Sequence, residues 1–406
     1  MNCKNQHAFI FRMVQCAVLA TAVCQFHPLA ARPAQNMQPA TDDVVLEVLP
    51  TVTRFRPARS MPDARQAVAA NLVAKPVDAS AAMAQARQDI AVARRTGDTR
   101  YWGRAQAVLQ PWWNRSDAPV DIAVLQATVQ QGRHEFDASR NILTAALARA
   151  PKHAQGWLNL AALERLSARY PESLKACDAV ARAGQALYAQ ACRLETQSLQ
   201  GQYQSAAQGL QILIAHTPDS GQQSWLYSLL AESQERAGQI PAAANAYQRS
   251  LKLDADLYTA IAYSDLLLRS SKPQQALSAL AALPDTDAVV LRRATALKRL
   301  GDSSWSKARA QLKDYSAELV RRGDDPALHG RELALAALWL DEDAPAALVL
   351  ARSNLQLQRE PVDWWVALKS AEMAKDATAL AEIRAALVAT GLEDTRLATQ
   401  ASKARP

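Results

Sequence analysis

The sequence predicts an all-α chain folded as a solenoid of antiparallel helix pairs. Two observations predict it. The first is a spaced pattern recurring between residues 154 and 256. A turn Gly and a Tyr are followed by a small residue, then a large apolar one, then a helix-stopping Pro or Asp. One stretch reads Gly201, Tyr203, Ala206, Leu210, Pro218; the next reads Leu230, Ala231, Gly238, Ala243, Tyr247. A period of about 34 residues built from two helices marks an array whose units cannot bury their apolar faces alone. The second observation is composition. The 406 residues are 49% hydrophobic, with Gly scarce at 13 and no alternating Val/Ile/Thr runs, so helix is favoured throughout.

The register survives counting. Tyr170 and Tyr203 are 33 residues apart, and Gly201 and Gly238 are 37 apart, with the surplus assigned to a loop at Gly221, Gln222 and Gln223. Small residues (Ala161, Ala206, Ala231, Ala243) let two helices approach closely where they cross. A Tyr near the turn fills the wedge between pairs. Gly past the first helix supplies the left-handed backbone that ends it, and Pro151 and Pro218 stop the second helix.

Three units, residues 154–186, 187–220 and 224–257, carry these positions, and in them the chain resembles the tetratricopeptide repeat family. Trp157, Leu160, Ala161 and Tyr170 match in the first unit, although Ser173 stands where a small Ala is usual. The third matches best, through Leu230, Ala231, Gly238, Ala243, Tyr247 and Leu251. The resemblance implies a right-handed superhelical solenoid whose first helices line a concave face that holds a protein or peptide. Carried over by register, the lining comprises Gln155, Leu158, Ala162, Arg165, Glu195, Trp225, Ser228, Glu232, Glu235, Tyr258 and Asp265. The carboxylate clamp of the chaperone-binding members is not expected. Leu158 and Ala162, and again Ser228 and Glu232, occupy the positions of its Lys and Asn.

The flanks extend the array to about eight hairpins. Upstream helices are predicted at residues 62–74, 80–95 (N-capped by Asp78 or Ser80), 101–113, 122–131 and 136–149. Downstream ones are predicted at 258–269, 274–283, 289–300, 305–322, 328–340, 345–358, 364–375 and 377–389. The domain reading is a signal peptide at 1–31, a flexible arm at 32–63, the solenoid at 64–392 and a disordered tail at 393–406. The signal is read from Lys4 and Arg12 ahead of an apolar run at 13–23, with small residues at Ala30 and Ala31. A retained anchor and lipidation at Cys24 are the alternatives. The run is shorter than the roughly 20 residues that span a bilayer.

Cleavage would leave two of the five Cys, Cys177 and Cys192, in an oxidising space. They are read either as a disulfide or as two separate buried thiols, and thiol counting on unreduced protein decides between them. The formal charge of +7 is spread thinly, and Arg292, Arg293, Lys298 and Arg299 read as a solvated helix face rather than a nucleic-acid surface. Asp341, Glu342 and Asp343 read as solvated turn acids. His134, His153, His216 and His329 are too scattered for a metal motif. No nucleophile elbow, phosphate loop or dinucleotide fingerprint is present. The chain is therefore expected to be neither an enzyme nor a cofactor binder. The expectation is an exported scaffold in a bacterial cell envelope, binding a protein or peptide and associating peripherally with an envelope complex. The alternative is an accessory subunit for export or modification of an envelope polysaccharide, with some of the nine Trp contacting glycan.

Overall fold

Helix follows helix with short turns. The computed structural model describes residues 78–321 and 326–402, all in one unit. The signal, the arm and the helix predicted at 62–74 lie outside the described residues. The first hairpin is α1 (Ala79–Thr96) and α2 (Arg100–Leu109), the latter extended by a 3-10 turn at Gln110–Trp112. Then come α3 (Val120–Gly132) with α4 (Phe136–Arg149), α5 (Ala154–Leu166) with α6 (Tyr170–Arg182), and α7 (Ala186–Leu199) with α8 (Tyr203–Ala215). The fifth and sixth pairs are α9 (Ser220–Arg236) with α10 (Ile240–Leu253), and α11 (Leu257–Arg269) with α12 (Pro273–Leu280). The seventh is α13 (Asp287–Leu300) with α14 (Trp305–Arg321). In the eighth, α15 (Gly330–Ala336) runs into a π turn at Ala337–Asp341 and pairs with α16 (Ala344–Leu357). The ninth is α17 (Pro361–Met373) with α18 (Ala377–Thr390), and a last helix, α19 (Thr395–Ser402), follows. The described residues thus hold nine hairpins rather than about eight. Among them the β pairing is a lone bridge between Gln200 and Glu393.

Local chemistry sets these boundaries. Asp78, Asp219, Asp256, Asp343 and Asp376 each accept a backbone N–H of the first turn of a helix, satisfying donors the helix cannot. Left-handed residues recur at one place in the pattern: His134, Ala168, Gly201, Gly238, Ser271, Gly301, Glu342 and Lys375. Each reverses the chain between the two helices of a pair, so the repeat is written in the backbone even where the residue is not Gly.

Packing follows the small residues. Ala161, Ala206, Ala231 and Ala243 are completely buried at the crossings. Ser173 is equally buried, and its hydroxyl bonds Thr196 Oγ1 at 3.1 Å, so the one polar intruder is satisfied. A large apolar cluster runs from Leu158 to Ala296 through the middle hairpins. A second joins the last three hairpins to Tyr170 and Leu199 of the middle, together with Leu392 and Leu397. Cys177 of α6 and Cys192 of α7 form a disulfide between neighbouring hairpins.

Three expectations are corrected. Gly221, Gln222 and Gln223 lie in the first turn of α9, so the longer period lengthens a helix instead of a loop. Residues 393–402 are not a disordered tail: they form the bridge and α19, because Leu392, Asp394 and Leu397 are buried against earlier hairpins. Of Arg292, Arg293, Lys298 and Arg299, only Arg299 is exposed, so they do not form a solvated face together. Arg292 is 2% exposed and chelates Asp265. Arg293 donates to Leu280 and Leu283 carbonyls, Lys298 to those of Trp339 and Leu340, and Arg299 to that of Leu268. The acids at 341–343 are exposed at their turn, as expected, where Asp341 pairs with Arg309, Glu342 with Lys298, and Asp343 caps α16. Long basic side chains here brace hairpins by bonding carbonyls near helix ends.

Candidate functional site

The first helices of the hairpins carry charged residues that form a relay. Arg165 of α5 pairs with Glu195 of α7 at 2.8 Å. On α9, Arg236 lies 3.5 Å from Glu232 and donates its Nε to Ser198 Oγ at 3.0 Å. Tyr258 of α11 donates its hydroxyl to Glu232 at 2.7 Å. Glu235 takes Arg269, Arg396 at 2.6 Å and the Tyr247 hydroxyl at 3.0 Å. Arg292 links Asp265, with both bonds 2.9 Å, to Glu332 at 3.7 Å. Arg331 closes the series on Asp363 at 2.7 Å and on Glu360. A residue three or four positions along a helix shares its face, which is why Glu232, Glu235 and Arg236 converge from one element.

The two α9 acids have opposite electrostatics. Burial raises the Glu232 carboxyl; Arg236 opposes, Glu195 and Glu360 repel further, and it stands at about 7. Burial acts in the same sense on Glu235, but Arg396 and Arg269 outweigh it and hold the carboxyl at about 2. A half-buried carboxyl of this kind, hydrogen-bonded by a Tyr hydroxyl and near two more acids, is chemically suited to a cationic group such as a Lys, Arg or amino terminus.

Of the partner-facing residues the sequence points to, Tyr258 is the one that stands open, at 53% exposed. Arg165, Glu195 and Glu232 are half-buried and come together with it. Gln155, Leu158, Trp225, Ser228, Glu235 and Asp265 are buried. Gln155 bonds Asn159 at 2.7 Å, and Trp225 packs on Tyr188. Sequence reasoning missed Glu360, Arg331 and Arg396, which reach the same relay from the ninth hairpin, α15 and α19. All nine Trp are buried or half-buried, each in or against an apolar cluster. Among the described residues no group of three His, Cys, Asp or Glu is placed to hold a metal, and no helix is long and apolar enough to cross a membrane.

Known structures resemble this arrangement. A solved Rap protein, complexed with competence and sporulation factor, superposes with a TM-score of 0.50 at 9% identity, covering 79% of this chain and 87% of its own. The chain has a tetratricopeptide-like fold. Other tetratricopeptide-like matches include pilF of Pseudomonas aeruginosa (TM-score 0.34, 16% identity, 51% of this chain and 92% of that one). Human IFIT1, solved as a dimer with PPP-AAAA, gives 0.43 at 10% identity, over 76% and 72%. The Rap likeness carries the fold assignment. No protein-family model matches the chain, and no curated protein does.

Proposed function

We propose that this tetratricopeptide-like protein is an exported scaffold of a bacterial cell envelope that holds a polypeptide partner on its inner face. The observation that carries the reading is the Glu232–Tyr258 pair. It combines an open aromatic ring with a carboxyl near neutrality, flanked by Glu195 and Glu360. That chemistry suits a segment bearing a cationic side chain. The Rap protein was solved with competence and sporulation factor bound, which agrees with a binding role for such an array. The polysaccharide reading finds no open tryptophan platform to rest on. The envelope assignment rests on residues 1–31 alone.

The test places a photo-crosslinking amino acid at Tyr258 in cells and identifies the attached polypeptide. A partner captured through a basic segment, and lost when Glu232→Lys reverses the charge, is expected. Capture that ignores Glu232→Lys sinks the site. Amino-terminal sequencing of the protein from a periplasmic fraction checks export; an intact Met1 in the cytoplasm sinks that part.

A further inference from the structure

The 392–397 segment makes the contacts of a bound peptide. Glu393 N–H donates to the Leu199 carbonyl at 2.9 Å and pairs as a parallel bridge with Gln200. Thr395 Oγ1 donates to the Arg236 carbonyl at 2.9 Å. Arg396 reaches Glu235 at 2.6 Å, and its Nε is steered by Asp394 at 2.8 Å. Leu392 and Leu397 are buried to either side.

The surface beneath is repetitive. Leu199 and Arg236 are the last residues of α7 and α9, equivalent points of successive repeats. Two residues beyond each sits a left-handed Gly, Gly201 or Gly238. A Cβ at Gly201 would collide with the Glu393 carboxylate, and one at Gly238 would come within 3.0 Å of Thr395 Oγ1. The two glycines therefore form a smooth floor for an extended backbone. One repeat earlier, the equivalent carbonyl of Leu166 takes Arg359 N–H at 2.7 Å.

The site also has supports of its own outside the segment. Arg269 and the Tyr247 hydroxyl bind Glu235 from the solenoid itself, and helix-end carbonyls at turns are readily solvated.

We propose that the edge made by the turns of the fourth and fifth hairpins is a docking site for an extended polypeptide segment carrying an arginine beside a leucine, that residues 392–397 occupy it as a built-in ligand, and that a partner segment of the same chemistry enters by displacing them. This rests on the reading of the protein as a polypeptide-binding scaffold and names the chemistry of what it binds. A tethered occupant competes at high effective concentration, so an incoming segment sees an apparent affinity reduced by the fraction of vacant sites.

The probe is a fluorescent peptide with the sequence of residues 391–402, titrated by anisotropy into the full chain. Arg396→Glu, which sets a carboxylate against Glu235 and loosens the built-in ligand, is expected to bind it about tenfold or more tighter than the unaltered chain. Adding Glu235→Gln is expected to abolish that gain. Hydrogen exchange near Leu199–Gly201 rises in Arg396→Glu and falls again with peptide. A folded Arg396→Glu chain that binds no better than the unaltered one overturns the proposal. So does unfolding of both Arg396→Glu and the milder Leu397→Ala, which would make the segment an inseparable part of the core. Crosslinking at Tyr258 reads the inner face without this probe, so the two readings fail separately.

Discussion

The middle hairpins, α5 to α10, and the last three, α13 to α18, are held together differently. In the middle, Ala161, Ala206, Ala231 and Ala243 bring helices close, apolar side chains fill the gaps, and a disulfide staples one pair to the next. In the last three, arginines and a lysine add directed bracing to the second apolar cluster. Arg292 is sealed on Asp265, Arg331 on Asp363, and Lys298 on two carbonyls of the π turn. Where the repeat pattern is strong, shape complementarity sets the register. Where it weakens, directed polar bonds do so, at the cost of desolvating charge.

Mutations can break or sharpen that contrast. Arg331→Met leaves the buried Asp363 carboxylate without its partner and is expected to cost about 3–5 kcal/mol in urea unfolding. A loss under about 1 kcal/mol would put both regions on one footing. In the middle, Cys177→Ala with Cys192→Ala is expected to cost about 3 kcal/mol. The same shift in melting should follow reductant in the unaltered chain and be absent from the double variant. Gly184 and Gly201 form a matched pair, with φ of 83° and 84°. Nothing lies near a Cβ at Gly184, whereas Glu393 lies against Gly201. Each substitution to Ala should cost about 1–2 kcal/mol of backbone strain. Gly201→Ala alone should also raise amide exchange at Glu393, and equal exchange in both would detach residues 392–397 from the middle hairpins.

The remaining effect is in pH. Glu232, raised from 4.5 to about 7, favours the protonated fold, so stability declines as pH rises from about 4.5 through 7. Glu232→Gln should flatten that decline, measured by urea unfolding between pH 5 and 8. Glu235, lowered to about 2, acts the other way: its contribution is full above about 4.5 and is lost as pH falls through 2. Affinity for a cationic segment at Glu232 should rise through pH 7 as its charge develops.

Much of the fold was legible because its signals are local. α4 spans the predicted residues, and most other helices fall within two or three of theirs. The buried alanines lie where the spacing put them. What was not legible is long-range. Thr395 and Arg396 find partners 159 and 161 residues away, and no periodicity marks such a pair. Arg292 to Arg299 read as solvated because a basic helix face looks alike in water or against a neighbour's carbonyls. The place of Glu232 and Tyr258 on first helices followed from register; their meeting with Glu360 did not.

The seating of residues 392–397 on α7 and α9 bears on the order of assembly. A repeat array can add units one after another as the chain emerges, each resting on the last. Here the turn at Arg236 receives its neighbour only 159 residues later, and the turn at Leu199 waits longer still. Until then Leu199, Gly201 and Glu235 face whatever else is near, and nascent hairpins four and five are the stretch where a chaperone's grip would do most good.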